Sequence, residues 1–477
     1  MSEVSKERIL KGPIARTLFT LGWPVMLTQF LHMAYSLADT FWLGHLGGDE
    51  GMRAVATIQI SWPAIMVLLS LGVGLGMAGV ALISQYKGAD MTREANKSAG
   101  QVISSMLIFS SIVAVIGYFS SPFIIGLLEV DEEIAQGAIL YIRIIFLGLP
   151  LEFIAFGTES IFRAYGDTIT PMKVIGVAVI FNMVLDPLMI FGVSIFPKMG
   201  IMGAAVATLI SYGLAGFVGL YLLFSGRYGI RIRARYLIPI KKEVVRIIEI
   251  GLPASIAQAG LWIGFFLLMY VIAMLPDSTL ILASYGIGDR IISIVFVVIW
   301  GLGAACATMV GQTLGADRIQ RAREVIRSTI LISFSLLSLI SLTIYIFRYR
   351  AIAVFIDDPE VVKEGALFLS ILVVGIPFFG IFHSVNSTFQ GSGHNVPVMV
   401  AEIARLLVLR LPLCYLLGVH LGWGPTGIWV GMAVSNLAAA FIGLALLATG
   451  IWKTRIIDEK HLAGERDPDP GENGPEI

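Results

Sequence analysis

The stretch MAYSLADTFWLGHLGG, residues 33–48, holds one bare carboxylate, Asp39, in a run that is otherwise apolar, small or hydroxylic. A second acid falls in FNMVLDPLMIFG, residues 181–192, where Asn182 and Asp186 stand i, i+4 and so share one face of a helix. Two carboxylates brought together without a cation cannot both stay ionised, so such a pair takes up a proton or holds a positive ion. Thr208, in GIMGAAVAT, would add a hydroxyl at similar depth, and Asp39, Asn182, Asp186 and Thr208 together form a set of hard oxygen ligands that suits Na⁺. The plainer alternative is a structural ion pair between Asp39 and Arg143. Tyr35, one turn before Asp39, offers a further hydroxyl; Tyr35 and Tyr141 are expected at a substrate cavity and Pro24 at a hinge.

The elements that must position these residues are membrane spans. Of 477 residues, 57% are hydrophobic and 14% charged, far from the balance of a soluble domain, and mean hydropathy is +0.85. Runs of about 20 apolar residues, enough to cross a bilayer, begin near Ile14, Ala54, Ser98, Ile134, Pro171, Gly203, Val244, Leu280, Ser328, Gly365, Val398 and Gly427. Twelve spans return both termini to one side. When the connections are allotted alternately, most of the 33 basic residues gather on that side, including Lys87, Arg93 and Lys97, the run from Arg227 to Arg246, and Arg318 to Arg327. The other side keeps Arg53, Lys198, Arg348, Arg350 and Lys363. The positive-inside rule then makes both termini cytoplasmic in a multi-pass plasma-membrane protein. Counted at about 1.5 Å per residue, Asp186 lies roughly 24 Å along the fifth helix from its cytoplasmic start, and Asp39 about 30 Å or more along the first. Both belong to the outer half of the bilayer.

The chain repeats itself. ISQYKGADMTREANKS at 83 returns as VGQTLGADRIQRAREV at 310, and GLPLEFIAFGTESIFRAYG at 148 as GIPFFGIFHSVNSTFQGSG at 375. Gln85, Gly88 and Asp90 thereby align with Gln312, Gly315 and Asp317. The predicted fold is all-α: twelve transmembrane helices in two six-helix bundles related by a pseudo-two-fold axis along the membrane normal, a plan found in transporters whose halves rock about a central site. The expected divisions are a cytoplasmic N-terminus (1–13), an N-lobe (14–226), a linker (227–243), a C-lobe (244–452) and a disordered tail (453–477) too polar to fold alone. Pro24 and Pro187 align with Pro253 and Pro412, but the acids have no partners: Asp39 falls opposite the region of Leu268 and Asp186 opposite Leu411. The repeat kept its hinges and lost its acids, which assigns cation coupling to the N-lobe.

Other polar residues read more plainly. Glu402 and Arg405, one turn apart, are expected to pair, with Arg410, Asp289 and Arg290 completing a network; Glu152, Glu159 and His383 read as satisfied interior groups. GVGLGMAG at 72 lacks the strand context of a dinucleotide loop, and its glycines recur at Gly301 and Gly303, which indicates close helix packing. Cys306 and Cys414 sit in apolar segments without metal-ligand spacing. No nucleophile has a matching base, so no catalysis is expected, and the zero net charge advertises no nucleic-acid partner.

ADTFWLGHLG at 38–47, FNMVLDP at 181–187 and RAYGDTITP at 163–171 resemble the multidrug and toxic compound extrusion (MATE) transporters, in particular the prokaryotic DinF-like and archaeal branch. The resemblance covers nearly all twelve spans. It implies two lobes around a central cavity and export of amphipathic, often cationic, compounds in exchange for H⁺ or Na⁺. A monomer in membrane lipid, with no cofactor besides the coupling ion, is expected. The resemblance further implies that Asp39 and Asp186 take part in coupling, that Asn182 and Thr208 assist, and that a bend at Pro24 accompanies protonation. The chain departs from the NorM-type branch, which carries acids on the seventh and tenth helices, where this sequence has Gln258 and His383. Two other readings stand beside the exporter: a flippase for lipid-linked headgroups, needing a basic cavity such as Arg405 and Arg410 could line, and a passive channel or structural protein, with no use for a titratable pair.

Overall fold

The computed structural model describes residues 5–126 and 132–457. Among these, twelve long helices run in antiparallel succession: α1 (Ile14–Gly44), α2 (Gly48–Gly88), α3 (Thr92–Gly126), α4 (Glu132–Tyr165), α5 (Ile169–Phe191), α6 (Ile201–Ser225), α7 (Lys241–Ala273), α8 (Ser278–Gly315), α9 (Ile319–Ala353), α10 (Pro359–Ser392), α11 (395–420) and α12 (Pro425–Thr449). Ten of them contain stretches long and apolar enough to cross a membrane. The other two are α1, which has the length, and α11, whose regular winding is interrupted. Two wider, π-helical stretches, Ala404–Arg410 and Tyr415–His420, flank Pro412, where a missing N–H and a ring clash disturb the i→i−4 ladder. The helices α2 and α9 begin well before their apolar runs, at Gly48 and Ile319, because polar turns extend each helix beyond its membrane part.

Helices α1–α6 and α7–α12 form two lobes, each with its own core. Phe146, Phe153, Phe162 and Tyr165 centre the first, and Tyr285, Phe368, Phe382 and Trp429 the second. Between the lobes α2 packs on α7 and, reciprocally, α8 on α1, while α2 and α8 meet each other. Glycines permit this approach. A Cβ on Gly22 would stand 3.2 Å from the Gly301 carbonyl oxygen, and one on the repeat-related Gly251 would stand 3.1 Å from that of Gly74. At the ends of α2 and α8, Gly88 lies against the Gln312 carbonyl and Gly315 against that of Gln85, too closely for any side chain. All six glycines lie in the halves of their helices nearest the face that carries both chain termini, so the seam is closed there. In the far halves of α7 and α8, Gly260 and Gly286 look onto open space.

Both ends of the chain cross that seam. The short helix Lys6–Lys11, which leads into α1, buries Ile9 among Met309, Leu314 and Ala322 of the C-lobe, and Arg318 donates to the Leu10 carbonyl at 3.4 Å. After α12, the Ile456 N–H donates to Gln85 Oε1 at 3.0 Å and Ile457 is buried in the N-lobe core. The repeated GAD turns hold these straps, with Lys6 on Asp90 and Arg455 on Asp317, each pair 2.6 Å apart. Residues 458–477, most of the expected tail, lie outside the described residues. The linker is tied to α3, where Gln101 Nε2 donates to the Tyr236 and Ile238 carbonyls, both at 2.7 Å.

Candidate functional site

The N-lobe acids come from α1 and α5. The start of α5 is fixed by Asp167, whose carboxylate accepts the N–H groups of Ile169 and Thr170 at 3.1 and 2.9 Å. That sets the register that turns Asn182 and Asp186 inward, both fully buried, with Asn182 Nδ2 donating to Asp186 Oδ1 at 3.1 Å. The Asp39 carboxyl reaches this pair from α1 and lies close enough to the Asp186 carboxyl for each to bear on the other's ionisation, so the two cannot both stay charged without a proton or cation between them. Asp39 Oδ1, Asp186 Oδ2 and Asn182 Oδ1 have no hydrogen-bond partner although buried, so acceptor capacity converges here in excess of donors. Pro187, next to Asp186, leaves the Met183 carbonyl without its helical donor and adds to that excess.

Three further sequence-predicted residues stand around the acids. Tyr35, 8% exposed, approaches the Thr208 hydroxyl without a well-directed bond, and Tyr141, also 8% exposed, lies within the field of both carboxylates. The Tyr35 ring tilts against Tyr212 at 5.8 Å, and Tyr212 stacks on His32 at 6.4 Å. Neither Tyr212 nor His32 was singled out from the sequence, although Tyr212 follows Thr208 at i+4 on the same helix face. Arg143 does not join Asp39. Its guanidinium bonds to Ser121 Oγ at 3.1 Å and the Tyr118 carbonyl at 3.3 Å and lies over the Tyr118 ring, so the structural ion-pair alternative is not formed. Pro24 sits inside an unbroken α1, and the Thr28 hydroxyl donates to its carbonyl at 2.9 Å.

The C-lobe handles its charges differently. Arg405, 2% exposed, contacts Glu402 at 2.7 Å, Asn386 donates to the other Glu402 oxygen at 3.1 Å, and the guanidinium lies over Phe379 and Phe382. Arg410 donates to Ser435 at 3.0 Å and to Asn436 at 2.6 Å. Asp289 lies within the field of Arg410, but Arg290 leaves the expected network and is exposed. Glu159 pairs with Arg163 at 3.3 Å, and His383 packs between the rings of Trp300 and Phe379. Where Asp39 has its repeat counterpart, Leu268 is buried in apolar core. Among the described residues no cluster of three or more histidine, cysteine or acidic groups could hold a metal.

Known proteins share both the sequence and the architecture. The chain is 28% identical to the probable multidrug resistance protein YpnP of Bacillus subtilis over 94% of its own length and 98% of that protein's. It is 26% identical to the probable multidrug resistance protein NorM of Thermotoga maritima, over 93% and 94%. A solved MATE transporter in complex with MaL6 superposes with a TM-score of 0.84 at 24% identity, covering 94% of this chain and 98% of that one. The MatE family model matches twice, at residues 24–188 and 253–416, one copy in each lobe. With two lobes of six spans and a family model matched once in each, the chain belongs to the MatE family of membrane transporters.

Proposed function

We propose that the protein is a secondary active multidrug exporter that exchanges amphipathic, chiefly cationic, organic compounds for H⁺ or Na⁺, with the Asp39–Asp186 pair as the coupling site. The observation that carries this reading is the convergence of the Asp39 and Asp186 carboxyls from α1 and α5, with unpartnered oxygens on both. Two neighbouring acids in a membrane repel when both are ionised, so occupancy by a proton or another positive ion sets the distance between the two helices. The helix α1 also carries Gly22 against Gly301 and Met33 against Ser293 of the other lobe, the latter at 3.8 Å. A shift of α1 is therefore felt in both lobes, and Pro24 lies between Gly22 and Met33 on that path. The orphaned oxygens of Asp39, Asn182 and Asp186, with Thr208 nearby, fit Na⁺ as readily as the shared proton fits H⁺.

The basic residues gathered on the terminal face support cytoplasmic termini in the plasma membrane. On that orientation the closed seam faces the cytoplasm and the far, open side faces outward. The names of the relatives, probable multidrug resistance proteins, support drug-like substrates. The flippase reading is not favoured by the two arginines it invoked, since Arg405 is held by Glu402 and Arg410 by Ser435 and Asn436.

The test is exchange in inverted vesicles. Export of a fluorescent organic cation is expected to dissipate an imposed pH or Na⁺ gradient, whichever ion couples, and Asp39→Asn and Asp186→Asn are each expected to abolish the exchange. Normal gradient-driven transport in both variants overturns the coupling site.

A further inference from the structure

Arg290 lies in the middle of a transmembrane helix and is exposed; its carbonyl accepts from Ser293 Oγ at 2.6 Å, but its guanidinium has no hydrogen-bond or ion-pair partner among the described residues. It stands about 18 Å along α8 from Ser278, near the middle of a hydrocarbon layer about 30 Å thick. A guanidinium at that depth is unstable against lipid tails, so it must face protein, water or a ligand. Its direction follows from the helix. Gly301 lies about three turns further along and therefore beneath it on the same face, and Gly301 is the residue that abuts Gly22 of α1. Ser293, one turn below Arg290, touches Met33 of α1. The face of α8 that carries Arg290 is thus the face turned to the N-lobe, in contact with α1 at Ser293 and Gly301 and open around Arg290 itself, where Gly286 has free space beside it and Ile294, one turn on, is 57% exposed. Across the opening, the exposed residues of α1 above Met33 include Leu37 and Thr40, which carry no charge. The acids of the N-lobe are turned away into their own pocket, Asp186 fully buried.

We propose that Arg290 recognises the anionic group of an amphiphile in the interlobe cleft, a carboxylate or phosphate whose apolar body lies along Leu37 and Ile294. Molecules of this kind are organic anions and zwitterions, a class beyond the cations that the acid pair suggests. An arginine presents paired N–H donors to such a group, and with water partly excluded the pairing is stronger than at a protein surface. The export of such molecules rests on the transporter reading above; their binding does not.

The test is equilibrium binding to the purified full-length protein in detergent, read by fluorescence anisotropy. The probes are 11-(dansylamino)undecanoic acid and its methyl ester, which differ only in the charge. The wild type is expected to bind the acid about tenfold more tightly than the ester, the scale of one charge-assisted pair. Arg290→Gln is expected to erase the difference and Arg290→Lys to keep most of it, with melting temperature and elution profile verifying that each variant is folded. Dioctanoyl phosphatidylglycerol distinguishes the sources of the group: displacement of the acid probe identifies a lipid phosphate as an occupant, and failure to displace it identifies free organic anions, both through Arg290. Equal affinity for acid and ester in the wild type, or a preference that survives Arg290→Gln, overturns the proposal. Because no gradient is involved, these outcomes are independent of whether Asp39→Asn abolishes exchange.

Discussion

Buried charge is neutralised at Arg405 of the C-lobe and left in tension at the acid pair of the N-lobe. Glu402 compensates Arg405 at 2.7 Å inside apolar surroundings, so Glu402→Gln leaves an unpaired guanidinium there and is expected to destabilise the protein by about 3–5 kcal/mol. The loss is read as a fall in melting temperature, partly recovered in the double variant Glu402→Gln/Arg405→Gln; an unchanged melting temperature refutes a structural role for the pair. At the acid pair the opposite is expected. Asp186→Asn removes one of two acids that cannot both ionise and should hold or raise the melting temperature while exchange is lost, the pattern of a site selected for function over stability. A clear fall in melting temperature would instead mark the pair as structural. Asp39 and Asp186 were legible in the sequence because a carboxylate in an apolar run is costly enough to need a reason. The fate of Arg143 was not, since depth along a helix does not say which way a side chain turns, and its partner Tyr118 offers mainly a ring face and a backbone carbonyl. Arg290 is expected from the sequence to join a network with Arg410 and Asp289, but neighbours on a helix point to different sides.

At the scale of the element, α1 is the part that belongs to both the site and the interface. It carries Asp39 at one end and the Gly22 contact at the other, with Pro24 beside that contact. Pro24→Ala restores a backbone donor and stiffens the helix. We expect turnover slowed several-fold with substrate and ion affinities unchanged, measured as exchange rates against equilibrium binding; undiminished turnover reduces Pro24 to a static kink. Helix positions followed from apolar runs and proline spacing, and where a helix begins before its apolar run, as α9 does, it does so through polar turns. The π-helical winding of α11 had no advance signal beyond Pro412. It arises where Arg405 and Arg410 turn inward to different partners, a tertiary demand that periodicity does not record.

At the scale of the whole molecule, the two terminal straps are reciprocal: each lobe sends one end of the chain into its partner, Ile9 in one direction and Ile457 in the other. They oppose separation of the lobes at the terminal face, so Ile9→Asp is expected to favour opening there. A cysteine replacing the buried Ser84, which packs on Gly311, should then react faster with a membrane-impermeant thiol reagent supplied on that side, the native Cys306 and Cys414 being buried. Unchanged reactivity shows that the strap does not guard the seam. The internal repeat disclosed the two lobes but not which face is closed, because both faces are built from the same pairs of helices and the close backbone approaches at the terminal face, tightest at Gly88 and Gly315, are set by tertiary packing. The solitary acid pair also bears on energetics. If one lobe alone binds the driving ion, one proton is traded for one singly charged cation and no net charge crosses the membrane. Membrane voltage then does no work on the cycle, and each unit of pH difference supports at most about a tenfold accumulation of cation. A zwitterion carried through the same cycle leaves one positive charge uncompensated, and its export alone becomes sensitive to voltage, by about 2.3 kcal/mol for each 100 mV.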